Sequence, residues 1–231
     1  MNPPKLSPRL LAAAGFVRPM AVVADVGTDH AYLPIYLCKT GHIRSAVASD
    51  INEGPVERAK INIASHSLAK KIAVCHTDGL SGIEAYSPTD IIICGMGGEL
   101  IAEIISKAEW TKNRDIRLIL QPMTHADKLR KYLCDEGYLI IDEALAKEEK
   151  IYQIICAEYR GGRVEYSPLE LTFGKQNIAR GGEELRLYAE YVRSVYETKI
   201  LGKRSAHADT SEEETFVSMV DELLKKRKDG I

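Results

Sequence analysis

A chain of 231 residues, 45% hydrophobic and 28% charged, holds enough apolar material for one full α/β domain and a smaller appendage, which excludes a disordered protein. Lysine and arginine (31) nearly balance aspartate and glutamate (33), so the net charge of −2 excludes a polycationic nucleic-acid binder while leaving room for a local basic patch. No apolar run reaches the length of about 18 to 20 residues that spans a bilayer. The amino end has only the short apolar stretch Leu10 to Val17 and no cleavage site, so no signal peptide is expected. Cys38, Cys75, Cys94, Cys134 and Cys156 form no C-x-x-C pair. They read as free thiols of a soluble, cytoplasmic protein with no metal site.

Taken in order, Lys5, Arg9 and Arg18 precede any acid, which predicts a basic amino-terminal face. Short apolar runs then recur at Ala21 to Ala24, Ser45 to Ser49, Ile72 to Cys75, Asp90 to Cys94 and Ile116 to Leu120. Between them, Ala31 to Lys39, Pro55 to His66, Glu99 to Lys107 and Ala126 to Glu136 carry apolar residues at helical spacing, with Pro55 in a first turn. Alternation of this kind predicts parallel strands joined by right-handed helical crossovers. Tyr138 to Ala146 and Lys150 to Tyr159, split by Lys147-Glu148-Glu149, predict a closing β-hairpin. Five parallel strands with an inserted antiparallel one is the layout of a class I, Rossmann-like methyltransferase domain.

Beyond Tyr159 the composition shifts, and the expected boundary separates residues 1–162 from a helical extension at 163–231. Leu185, Tyr188, Val192, Val195 and Ile200 mark one helix. A second opens at Ser211, with Glu214 completing a capping box, and carries Phe216, Met219, Val220, Leu223 and Leu224. Together they predict a coiled-coil-like helical hairpin.

The most informative stretch is Asp25-Val26-Gly27-Thr28-Asp29-His30-Ala31-Tyr32-Leu33-Pro34, where an apolar strand stops and a helix starts. A strand-loop-helix opening offers backbone N–H groups and a helix N-terminus to a nucleotide-like ligand. The G-x-G-x-x-G spacing of dinucleotide sites fails, since His30 and Tyr32 stand at the later positions. Two acids in the loop would repel a pyrophosphate but suit a ligand bearing an amine and a sulfonium, which points to S-adenosyl-L-methionine. Asp25 either satisfies loop N–H groups or accepts the ligand's amino group; both readings stand together. Asp50 closes the second strand, where a carboxylate can accept ribose hydroxyls. Asp78, in Thr77-Asp78-Gly79-Leu80, suits an adenine amine or an ordinary turn. Gly95-Met96-Gly97-Gly98 lets the backbone pass close to a ligand, and Gln121-Pro122-Met123-Thr124-His125 gives an apolar strand a polar end at the substrate mouth.

The Asp25 to Pro34 stretch, Gly95-Met96-Gly97-Gly98 and Leu120-Gln121-Pro122, with Leu6-Ser7-Pro8-Arg9-Leu10 and Asn52-Glu53-Gly54-Pro55, resemble the bacterial tRNA (adenine(22)-N(1))-methyltransferases. The resemblance covers about Lys5 to Tyr159 and beyond Gly162 is one of helical character only. It implies a class I methyltransferase domain, S-adenosyl-L-methionine as donor, tRNA as partner and methylation of ring nitrogen 1 of an adenine. Carried over by position, Asp25, Gly27, Thr28, Asp50, Ile51, Asp78, Gly79, Gly95 and Met96 would line the donor site, and Asp29 would be the acid closest to the chemistry. Arg9, His30, Tyr32, Gln121 and Pro122 would face the substrate, although Tyr32 equally suits a helix core. Lys5, Arg18, Arg130 and Lys131 are further candidates for phosphate contact, with solvated surface the plainer reading. The chain departs from the general methyltransferase loop, which usually has glycines where Asp29 and Ala31 stand. It also lacks the Asp/Asn-Pro-Pro-aromatic motif of many amine methyltransferases, which puts exocyclic amine methylation in doubt. The competing readings are a methyltransferase for a small molecule or protein and a non-catalytic RNA-binding module. No membrane, metal or obligate protein partner is expected.

Overall fold

The computed structural model describes residues 2–226. Its elements are α1 (Pro8–Gly15), β1 (Val22–Val26), α2 (Tyr32–Lys39), β2 (Ser45–Asp50), α3 (Glu53–Ser65), β3 (Ile72–His76), β4 (Asp90–Met96), α4 (Gly98–Ser106), β5 (Arg117–Pro122) and α5 (Ala126–Asp135). They continue with β6 (Tyr138–Lys147), β7 (Ile151–Tyr159), α6 (Pro168–Phe173), α7 (Lys175–Arg180), α8 (Glu183–Ser205) and α9 (Ser211–Lys226). The five parallel strands all run one or two residues further at their carboxyl ends than the apolar runs predict. Most of those last residues are polar or glycine, as at Asp25, Asp50, His76, Gly95 and Gln121, so hydrophobicity stops marking the strand while its backbone ladder continues.

Seven strands among the described residues form one sheet of order β3-β2-β1-β4-β5-β7-β6. The first five are parallel, and β7 pairs antiparallel with both β5 and β6. Val23, Ala24, Ile91, Ile92, Ile93, Leu118, Ile119 and Leu120 are wholly buried, as the central strands of a sheet covered on both faces require. The strand order reverses between β1 and β4, and in an open α/β sheet ligands bind outside the carboxyl ends at such a switch point.

Charged residues hold this frame together where the sequence left surface contacts open. Arg18 donates through its backbone N (2.8 Å) and Nε (2.9 Å) to Asp90, which is fully buried at the start of β4. Arg130 of α5 is also fully buried, donating from Nε to Glu143 (2.7 Å) and from Nη2 to Gln153 (2.6 Å) on the hairpin. Arg130 is therefore closed to phosphate, and the Arg18 guanidinium, a third exposed, is committed to the buried acid at its side. Lys131 stays exposed and pairs with Asp135 at 3.0 Å, while Lys5 is exposed.

By internal contacts the chain divides after Glu165. In the unit from Tyr166, Arg193 pairs with Asp221 and Lys203 with Glu213, so α8 and α9 run in opposite directions. Val192, Ile200, Phe216, Val220 and Leu223 are buried there, and Tyr196 stacks on Phe216 at 4.4 Å. Val195, expected inside, is 45% exposed; Tyr196 takes the inward position. The Ser211 capping box does not form: the Ser211 hydroxyl donates to Asp209, and Glu214 is held by Thr210 and Arg204. A complete box occurs instead at Ser167 and Glu170, opening α6.

Candidate active site

The loop after β1 is fixed mostly by its own backbone. Gly27 and Thr28 donate their N–H groups to the Ser49 carbonyl at the end of β2 (2.8 and 2.9 Å), and the Thr28 hydroxyl accepts the Ala31 N–H (3.1 Å). Gly27 has φ +76°, and a Cβ there would sit 2.0 Å from the Met96 methyl, so the loop and the end of β4 meet over glycine. Ala31 adopts the left-handed conformation (φ 54°) that glycine usually supplies in such a loop, and it is wholly buried. Asp25 is 7% exposed; burial pushes its carboxyl up to about 6, against a hydrogen bond from the Thr28 side chain that lowers it.

The next strand ends add two more acids. Asp50 Oδ1 accepts the Asn52 backbone N–H (2.7 Å) and its side-chain amide (3.1 Å), leaving Oδ2 without a protein partner among the described residues. Ile51 beside it is 58% exposed, an apolar surface with its carbonyl oxygen bonded to His76 Nε2. Asp78 is exposed and Gly79 follows it, at the edge of a cavity of 490 Å³ that Leu100, Ile104 and Trp110 also line. Asp25, Asp50 and Asp78 thus lie at the carboxyl ends of three adjacent parallel strands.

On the other side of β1, the buried Gln121 of β5 organises the mouth. Its Oε1 accepts from Arg9 Nη1 (2.9 Å) and the Gly95 N–H (3.2 Å), while its Nε2 donates to the Pro122 carbonyl (3.0 Å). Arg9 is held in turn by Glu148 of the hairpin turn, which accepts its backbone N–H at 2.7 Å. Gly98 opens α4 against the following turn; a Cβ there would sit 2.3 Å from the His125 carbonyl oxygen, so only glycine fits. Glu148 carries no motif, and only the fold brings it to Arg9.

A second group surrounds Asp29. Its carboxylate is exposed and accepts from Arg58 Nε (3.1 Å) and Nη2 (2.5 Å) of α3, with His30 Nε2 at 3.4 Å. The His30 and Tyr32 rings stack at 5.0 Å and 14°, and Tyr32 is 44% exposed, which excludes the helix-core reading. Asn62 of α3 donates to the His30 carbonyl at 2.7 Å, so α3 braces the loop twice. Arg58 was invisible as a site residue because an exposed arginine on a helix has no sequence signature.

A family model described as a methyltransferase domain matches residues 6–155. The tRNA (adenine(22)-N(1))-methyltransferase of Bacillus subtilis (strain 168) is 38% identical over 175 residues, covering 75% of this chain and 74% of that protein. The chain belongs to the tRNA (adenine(22)-N(1))-methyltransferase family. The solved structure of the B. subtilis M1A22 tRNA methyltransferase TrmK is similar with a TM-score of 0.82 and 32% identity, covering 96% of this chain and 98% of that one. Streptococcus pneumoniae Sp1610, in complex with S-adenosyl-L-methionine, is similar with a TM-score of 0.84 and 32% identity over 95% of this chain and 100% of that one. The methyltransferase-domain match spans the β1 loop, the acids at the strand ends and the Gly95 to Gly98 turn.

Proposed function

We propose that this protein methylates ring nitrogen 1 of adenine 22 in tRNA, taking the methyl group from S-adenosyl-L-methionine. The observation that carries this reading is the row of acids at the ends of β1, β2 and β3 beside the Gly27–Met96 contact, in a chain 38% identical to a B. subtilis enzyme of that name. The residues suit the donor. Asp25 accepts its ammonium group, Asp50 Oδ2 is available to the ribose hydroxyls, and Asp78 is placed for the adenine amine. Ile51 and Gly79 flank the adenine, while Thr28, Gly27, Gly95 and Met96 form the surface under the rest of the molecule. The donor supplies an electrophilic methyl on a sulfonium.

The acceptor nitrogen has its lone pair in the ring plane and is unprotonated near neutral pH, so no base need remove a proton before attack. The protein's task is alignment, and well-oriented encounters of this kind are worth roughly 7–11 kcal/mol. His30 and Tyr32 offer stacked rings to an adenine taken out of its helix, since N1 lies on the Watson-Crick edge. Gln121, anchored by Arg9 and Gly95, sets the opposite wall with Pro122. A positive charge develops on the base during transfer, and the Asp29 carboxylate stabilises it and holds the exocyclic amine. This chemistry calls for no metal ion.

The reaction is assigned to the domain of residues 1–162, with the expected helical extension from 163 to 231, of which residues 227–231 lie outside the described residues. Modification of tRNA places the protein in the cytoplasm; among the described residues no helix is long and apolar enough to cross a membrane. The test is incubation of the purified protein with labelled donor and an unmodified tRNA transcript, followed by mapping of the modified nucleotide. A single 1-methyladenosine at position 22, lost when that adenine is replaced by guanine, is expected. Absence of label in tRNA under all conditions overturns the reading.

A further inference from the structure

Arg58 reaches Asp29 from α3 with only part of its guanidinium. Nε and Nη2 both go to Asp29 Oδ1, while Nη1 lies over Gly54, 3.4 Å from where a Cβ would stand, and has no protein acceptor among the described residues. Both partners are open to solvent, with 47% of the Arg58 and 64% of the Asp29 side chain exposed, and exposed pairs of this kind are weak. Asp29 Oδ2 faces His30, whose ring stacks on Tyr32. From Arg58 of α3 across to the loop, the groups therefore run cation, anion, ring, ring. A nucleotide in RNA carries their complements: phosphate, exocyclic amine and flat base.

We infer that Arg58 binds the backbone phosphate of the target nucleotide, leaving Asp29 as it does so, and that this exchange frees the Asp29 carboxylate for the adenine. The inference rests on the reading that Asp29 faces the acceptor. While Arg58 holds it, the charge of Asp29 is partly offset and favours a developing cation on the base less. A phosphate competes well for the same guanidinium, because its oxygens match the planar fork in a bidentate fashion. Seating of the RNA and unmasking of the acid then become one event, and Arg58 is a positioning residue whose first partner is the enzyme's own carboxylate.

The experiment measures the dissociation constant of full-length protein for an unmodified tRNA transcript across a series of salt concentrations, with Arg58→Gln, Arg58→Lys and Asp29→Ala. Arg58→Gln is expected to weaken binding about tenfold and to make the slope of log Kd against log salt shallower by about 0.7–0.9, the signature of one lost phosphate contact. Arg58→Lys keeps the slope, and Asp29→Ala keeps it too, whatever the adenine contact was worth to affinity, because its arginine still meets the phosphate. Donor affinity by calorimetry stays constant across all three, reporting an intact fold. An unchanged salt slope in Arg58→Gln overturns the inference and leaves Arg58 a brace for the loop, as does an Asp29→Ala variant whose salt slope falls as that of Arg58→Gln does. Undiminished turnover in Asp29→Ala would instead remove the reading of Asp29 while the slope still reports on Arg58.

Discussion

At the scale of single residues, Asp25 gives the sharpest expectation. Burial lifts its carboxyl from the ordinary 3.8 to about 6 in the absence of a ligand. The folded protein then binds more protons than the unfolded chain between those values, so stability from this group is lost as the pH rises toward 6 and the cost is complete above it. A shift of about two units corresponds to about 3 kcal/mol, which Asp25→Asn is expected to recover as a higher Tm at pH 7.5. The donor's ammonium favours the ionised form, so its affinity falls up to tenfold per pH unit below about pH 6. Calorimetry between pH 5 and pH 8 checks both; a flat profile would mean that Asp25 does not accept the ammonium. At Asp29 the loss is in turnover. Asp29→Ala is expected to lower kcat on tRNA by about 10²-fold, a typical cost of removing a preorganised electrostatic group, while the donor Kd stays constant.

At the scale of elements, the Arg130–Glu143–Gln153 contact joins α5 to the β6–β7 hairpin within the core. Glu143→Ala removes the buried carboxylate that Arg130 Nε donates to and is expected to cost about 3–5 kcal/mol in urea unfolding. Replacing the pair together, as Arg130→Met with Glu143→Leu, is expected to cost far less, since both charges leave the interior. Arg130 shows why part of the fold was legible in the sequence and part was not. Strands and crossover helices announce themselves through apolar spacing, which is a property of neighbours along the chain. Whether an arginine faces a phosphate or a buried glutamate 13 residues away depends on neighbours in space. The same division holds at the site. Asp25, Gly27 and Asp50 were visible because strand-loop-helix signals surround them, whereas Glu148 and Arg58 lie in charged, ordinary stretches. Ala31 marks the boundary between the two: the missing glycine could be read, but not that alanine would adopt a glycine's backbone.

At the scale of the whole molecule, the acceptor wall depends on an element made late. Gln121 is anchored by Arg9, and Arg9 by Glu148 at the turn between β6 and β7. The order of the sheet has a consequence for synthesis. β5 gains its second neighbour only when β7 arrives, and among the described residues β6 has no sheet neighbour other than β7. At ~5–20 residues per second, a nascent chain therefore waits several seconds with the Leu118-Ile119-Leu120 edge unpaired. An open apolar edge recruits other strands, and long-range pairing of this kind is slow to form. In cell-free translation, a chain stopped at Lys150 is expected to sediment as aggregate and one extended to Glu165 to remain in the supernatant. Equal solubility would show that β5 is protected before β7 emerges. The strand that completes the sheet thus makes the interval between synthesis of β5 and of β7 the moment at which this protein is exposed to misassembly and open to a chaperone.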